Sequence, residues 1–247
     1  MNKDRIVNLI GRGRTDLVVE LLRLPDWRES LDAGTVKILQ WFVYYNDVTA
    51  LRLILANGGT LDSIDIDEEL GNAAFMGHWK TVDFLLKNGA DPKFANQLTG
   101  ETALHSSLAK AGRPFYIFTV KLLVENGANP NARTIPGVET GAFMRDVRTK
   151  GETPLHRAAA YSDAETIRYL IEKGADREAR DANGDSPLTW ASEHLRPGEI
   201  LDLLQFGEFR ISEKSVKTMI SDHGAGWGYG MEWNALGEFL PESVEDF

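Results

Sequence analysis

The sequence predicts an all-α solenoid of stacked helix pairs, and three observations carry that expectation. Residues 151–176, GETPLHRAAAYSDAETIRYLIEKGAD, recur as residues 184–208, GDSPLTWASEHLRPGEILDLLQFGE; Thr153 and Ser186, like Gly174 and Gly207, stand 33 residues apart. An earlier copy, GETALHSSLAKAGRPFYIFTVKLLVENGANPNAR, covers residues 100–133. Within the copies a hydroxyl residue opens a run of apolar residues at helical spacing, and a glycine follows the second such run. A fixed period of this length marks a unit that buries its apolar side only against its neighbours.

The common motif is T-P-L-H, then helical apolar spacing, then L-L-x-x-G-A-D. On these residues the chain resembles the ankyrin repeat family, most clearly from residue 100 onward. The resemblance implies helix pairs joined by β-hairpin-like connections. It also implies a binding surface, since units of this family mostly serve that purpose.

Taken from the N-terminus, residues 1–33 read as a capping helix pair, apolar over residues 5–10 and 17–22 and separated by Gly11 and Gly13. Residues 34–64 are a degenerate repeat, with Leu39, Phe42 and Val43 in its first helix and ILANG closing its second. Residues 65–99 form the next, with Leu70, Ala73 and Ala74 followed by LLKNGAD. Residues 100–133 are the third, lengthened by four residues between its helices, around residues 110–116. Residues 134–150 are an inserted finger loop: Gly127 to Thr153 is 26 residues, against 13 from Gly89 to Thr102 and 12 from Gly174 to Ser186. Residues 151–183 and 184–209 are the fourth and fifth repeats. Residues 210–247 are expected to add a helix and an aromatic tail in which Trp227, Tyr229 and Trp233 cap the array; a tail that docks a partner is the alternative.

Each motif residue has a physical role. Thr102, Thr153 and Ser186 stand where a helix begins, and a hydroxyl there accepts from free first-turn amides. Pro154 and Pro187 follow at first-turn positions, where a missing N–H costs nothing. Ala158, Ala159 and Ala191 are small, as close approach of neighbouring first helices requires. Gly58, Gly89, Gly127 and Gly174 end second helices, where a left-handed backbone favours glycine.

Composition narrows the function classes. The chain has 247 residues and no cysteine, which removes disulfides and thiolate chemistry. Its N-terminal stretch, MNKDRIVNLIGRGR, lacks the apolar run of a signal peptide, and no later run reaches membrane-spanning length, so a cytoplasmic protein without membrane partners is expected. A net charge of −10 argues against nucleic acid as the partner and favours a basic one. No G-x-S-x-G or H-E-x-x-H occurs, and His194 and His223 have no second histidine at ligand spacing. His105 and His156 fill the motif position at which, by the resemblance, the imidazole bonds local backbone and neighbouring hairpins. No catalytic residue, metal or cofactor is therefore expected, and the protein reads as a monomeric non-enzyme.

The resemblance also implies where a partner sits: on hairpin tips and on the exposed flank of the first helices. Transferred by alignment, the tips are Gln97, Glu101, Lys150, Glu152, Arg180, Asn183 and Asp185. The first-helix column is Asn72, Ser106, Arg157 and Trp190, in which a solvent-side Trp190 would be a binding anchor or a contact for the C-terminal cap. The inserted loop carries Phe143 and Met144 beside Arg145, Arg148 and Lys150, an apolar and basic content unlike an indifferent loop. With Arg157, these cations would make a local basic patch. The leading expectation is a scaffold that binds a protein through this face and the finger. Two alternatives stand beside it: a stoichiometric inhibitor or antidote of an enzyme or toxin, and a small-anion or enzymatic site enclosed by the finger.

Overall fold

The computed structural model describes residues 2–32, 35–113, 115–140 and 150–207. The N-terminal segment begins with α1 (Lys3–Gly11), opened by Asn2, whose side chain accepts from the Arg5 amide. A 3-10 turn over Thr15–Leu17 runs into α2 (Val18–Leu22), and α3 (Trp27–Leu31) follows. The single pair expected in residues 1–33 thus gains a third helix. Its Trp27 is buried, and Arg28 donates to the carbonyls of Asn57 and Gly58, which ties α3 to the end of the next repeat.

The helix pairs of the repeats come next. They are α4 (Ile38–Tyr44) with α5 (Val48–Ala56), α6 (Ile66–Met76) with α7 (Trp79–Lys87), and α8 (Ala103–Ser107) with α9 (Tyr116–Glu125). Beyond the insertion stand α10 (Pro154–Tyr161) with α11 (Ala164–Glu172), and α12 (Pro187–Glu193) with α13 (Gly198–Leu204). One apolar core runs through them from Ile6 to Leu204, with Phe42, Leu70, Leu104, Leu155 and Leu170 fully buried on the way. First helices pack side by side, α6 on α8 and α10 on α12. Ala73, Ala74, Ala103, Ala158, Ala159 and Ala191 are all buried, as that close approach demands.

The motif residues do their expected work, with an addition. Thr102 Oγ1 accepts from the His105 amide, and Ser186 Oγ accepts from the Thr189 amide. In return His105 Nδ1 accepts from the Thr102 amide and His156 Nδ1 from the Thr153 amide, so the motif histidine completes a reciprocal cap. Gly58, Gly89, Gly127 and Gly174 all have positive φ. Among the described residues the connections are hairpin-like without forming strands: one antiparallel bridge joins Ala95 and Thr102, Asn96 donates to the Glu101 carbonyl, and Asp181 donates to that of Asp185.

The insertion leaves the stack at the corresponding point of its own hairpin. The Thr134 amide donates to the Glu152 carbonyl at 3.1 Å, which closes the base of the loop. Its outgoing arm bonds one neighbouring hairpin through Ile135 N–H to the Thr99 carbonyl. Its returning arm bonds the other through Ala182 N–H to the Lys150 carbonyl. All these helices lie in the compact unit Met1–Gln205. The expected C-terminal helix and the cap of Trp227, Tyr229 and Trp233 lie outside the described residues. No helix among the described residues is long and apolar enough to cross a membrane.

Candidate protein-binding surface

The first-helix column divides at the insertion. Asn72 on α6 and Ser106 at the end of α8 line a cleft of about 370 Å³ on the hairpin side. Its charged wall is Asp67, Glu68 and Glu101, and Phe75 and Phe94 give it aromatic surface. The carboxylates are held by defined bonds. Asp67 Oδ1 accepts from the Asp91 amide, Glu68 Oε1 accepts from Asn96 Nδ2, and Glu101 Oε1 accepts from Arg157. Lys110 Nζ stands 3.9 Å from the Phe75 ring centre.

Arg157 and Trp190, in the other half of the column, are not on the surface. Arg157 is fully buried between α8 and α10. Its Nη1 donates to Glu101 Oε1 at 2.6 Å and to the His105 carbonyl at 3.0 Å. Its Nε donates to Glu152 Oε1 at 2.8 Å, and Nη2 donates to the Thr140 hydroxyl at 3.1 Å. Glu152, expected at a hairpin tip, is also fully buried, and its second oxygen accepts from Thr134 Oγ1. Arg157 therefore does not contribute to the basic patch that the sequence suggests, because its charge is spent on an internal network.

Trp190 has no exposed surface. Its Nε1 donates to Asp181 Oδ2 at 3.0 Å, its ring meets His156 edge-on, and Lys150 Nζ lies 4.9 Å from the ring centre. A solvent-side anchor is ruled out by this packing. Asp181 also accepts from the amides of Asn183 and Asp185, so one carboxylate shapes the hairpin and orients the indole. Lys150 is mostly covered and lies 3.7 Å from Glu193, a second cation withdrawn from the expected patch. Of the remaining expected residues, Arg180 and Asn183 are exposed on the hairpin and Asp185 is half-buried, its carbonyl accepting from His156 Nε2. Phe143, Met144, Arg145 and Arg148 lie outside the described residues. Among the described residues, no group of three His, Asp or Glu side chains has the arrangement of a metal site.

Sequence comparison fits this geometry. An ankyrin repeat model matches residues 99–135, and a model described as three copies of the ankyrin repeat matches residues 135–214. The chain is an ankyrin repeat protein. Among its relatives, the palmitoyltransferase AKR1 of Lachancea kluyveri is 25% identical over 199 residues, which cover 70% of this chain and 26% of the relative. Rabankyrin-5 of Homo sapiens is 35% identical over 106 residues, or 42% of this chain and 8% of that protein. The ankyrin repeat and SOCS box protein 3 of Bos taurus is 30% identical over 157 residues, covering 61% of this chain and 26% of the relative. The chain thus spans about a quarter or less of the length of these relatives, and the transferase activity in one name belongs to that protein.

Three residues of this ankyrin repeat protein matter more than sequence reasoning suggested. Thr140 and Glu101 complete the Arg157 network, and Asp181 holds Trp190. The one sequence signal for Asp181 is its position in D-A-N-G-D, where an aspartate that caps a turn is common. Nothing local announces Thr140.

Proposed function

We propose that the protein is a non-enzymatic interaction module that holds a protein partner on its hairpin side, with the insertion as a second contact. The observation that carries this is the cleft beside α6 and α8, with Asp67, Glu68 and Glu101 on its wall and Phe75 and Phe94 beside them. Carboxylates next to aromatic rings suit an arginine or lysine side chain, whose stem packs on the rings while its charge meets the acids. The chain's net charge of −10 would steer such a partner toward the surface. With Arg157 and Lys150 engaged internally, a basic partner segment fits this surface better than the acidic one that an arginine patch would select.

The test is affinity capture from the native cell with wild-type protein and an Asp67→Lys/Glu68→Lys variant, read by mass spectrometry. The expected result is a partner with a basic segment, retained by wild type, released by added salt and lost in the variant at unchanged melting temperature. Equal retention by both would remove the cleft. A parallel variant with residues 141–149 replaced by a short Gly/Ser linker tests the insertion separately.

A further inference from the structure

Asn57, Asn88, Asn126 and Asn183 are each followed by glycine in the sequence. In such a pair the carboxamide readily meets the next backbone nitrogen, because glycine has no Cβ to hold them apart. The structure separates the four. Asn57, Asn88 and Asn126 stand at the C-terminal caps of α5, α7 and α9. In each, Nδ2 donates back to the helix, to the carbonyls of Leu53 at 2.8 Å, Phe84 at 2.7 Å and Leu122 at 2.8 Å. Each of these bonds must break before the side chain can swing onto its own glycine.

Asn183 has no such restraint. It is exposed on the hairpin between α11 and α12, and its carboxamide makes no hydrogen bond among the described residues. What the fold holds there is the backbone. The Asn183 amide donates to Asp181 Oδ1 at 2.8 Å, and the Gly184 amide donates to the Asp181 carbonyl at 3.1 Å. The glycine amides of the other pairs are bonded as well, Gly58 at 2.9 Å, Gly127 at 3.0 Å and Gly89 at 3.3 Å. The backbone bonds therefore do not distinguish the four sites. The side-chain bond does.

We infer that Asn183 is a site of self-modification, converted by cyclisation and hydrolysis into aspartate and isoaspartate. The Gly184 nitrogen gives its proton to solvent and attacks Asn183 Cγ. The bond from Cγ to the carboxamide nitrogen breaks, and that nitrogen takes a proton from water and leaves as ammonia. Water then opens the five-membered imide. Cleavage between Cγ and the Gly184 nitrogen gives aspartate, and cleavage at the backbone carbonyl gives isoaspartate. Either product adds a carboxylate to an exposed hairpin that already carries Asp181 and Asp185. Isoaspartate also lengthens the main chain by a methylene inside the turn that Asp181 shapes, and Asp181 holds the Trp190 indole. The chemistry needs only water and does not depend on partner binding in the cleft.

Ageing the folded full chain in mildly alkaline buffer, followed by peptide mapping with mass spectrometry, tests the inference. Asn183 should convert first, at least about twofold faster than Asn57, Asn88 or Asn126, the smallest factor that a net side-chain hydrogen bond represents. In urea, where the helix caps are gone, the four rates should draw together. Asn183→Ser should remove the early product and leave the other three sites unchanged. Conversion of a helix-cap asparagine as fast as Asn183 in the folded chain would overturn the inference. So would an Asn183 that stays intact while the unfolded chain converts. A lead for Asn183 as large in urea as in the folded chain would also overturn it, because flanking sequence would then account for the difference.

Discussion

Arg157 and Glu152 form a buried ion pair in which one carboxylate oxygen, Oε1, lies 2.8 Å from Nε and 2.7 Å from Nη2, while both side chains are fully shielded from solvent. Glu152 is the node of the surrounding network. Its other oxygen accepts from Thr134, and its carbonyl accepts from the Thr134 amide and from His105 Nε2. Where α6 packs on α8 and α10 on α12, small side chains such as Ala73, Ala74, Ala103, Ala159 and Ala191 are buried in the first helices. Between α8 and α10 a charged cluster takes that place, and it fastens the base of the insertion to the stack. The third repeat, the fourth repeat and the stem of the loop therefore share one set of hydrogen bonds.

Removing the cation should be costly. Arg157→Leu takes the guanidinium from the fully buried Glu152 carboxylate, and breaking one partner of a buried pair costs about 3–5 kcal/mol. Urea unfolding should show a loss in that range, and a loss under about 1 kcal/mol would mean that water reaches the carboxylates. Glu152→Gln keeps the shape and one acceptor oxygen, which can stay on Arg157 while the new NH2 donates to the Thr134 hydroxyl, and should cost less than Arg157→Leu in the same measurement.

Trp190 should behave as a core residue. Trp190→Ala removes a fully buried indole from a cluster with Ala160 and Tyr161, and such truncations cost about 3–5 kcal/mol. It also strands Asp181 Oδ2, although Asp181 keeps the amides of Asn183 and Asp185. Chemical unfolding is again the measurement. A variant that keeps its stability but loses a partner would return Trp190 to the surface, contrary to this packing.

The contrast between these residues and the motif shows which parts of the fold could be read in the sequence. Thr102, Pro154 and Gly174 act within a turn or two of their own positions, so local pattern suffices to place them. Arg157 takes a partner from 56 residues away, Glu101, and another from a loop that has no counterpart in the other repeats. Trp190 sits in a column that the repeat pattern leaves open. Two of its contacts, Asp181 and Lys150, stand on hairpins, whose geometry the helical period does not encode. A repeat pattern transfers the backbone from one unit to the next. It does not transfer the side chains that depart from the pattern, and here those departures fill the candidate surface.

The anchoring of the insertion makes a prediction at two glycines of similar backbone. Gly151 has φ 66°, and a Cβ there would come within 2.6 Å of Pro136 Cγ in the outgoing arm. Gly174 has φ 91°, yet a Cβ there would meet open space. Gly174→Ala should therefore cost only the left-handed backbone penalty, about 1–2 kcal/mol. Gly151→Ala adds the collision and should cost more, unless the arm shifts. Melting curves of the two variants side by side decide this. Equal losses would mean that Pro136 moves aside and that the stem is held less firmly than its hydrogen bonds imply.

The two motif histidines should make the fold sensitive to mild acid. Burial is the main reason that His105 lies well below the usual histidine range and that His156 is lowered to about 4. Both rings are neutral, with Nδ1 accepting from a threonine amide and Nε2 facing a carbonyl, so a proton on Nδ1 would break the cap. The unfolded chain takes up protons near pH 6.5 and the folded chain does not, so stability rises with pH in this window. The stabilisation is complete above about pH 6.5 and is lost as the pH falls from there through about 4. Between about pH 7 and 5.5, where carboxylates contribute little, each histidine should account for about 1 kcal/mol of lost stability. Urea unfolding at both pH values should show that slope in the wild type. His156→Gln should retain a shallower slope, set by His105 and by His78, which burial also lowers. A wild-type stability that does not change over this range would mean that the rings already share a proton in the folded state.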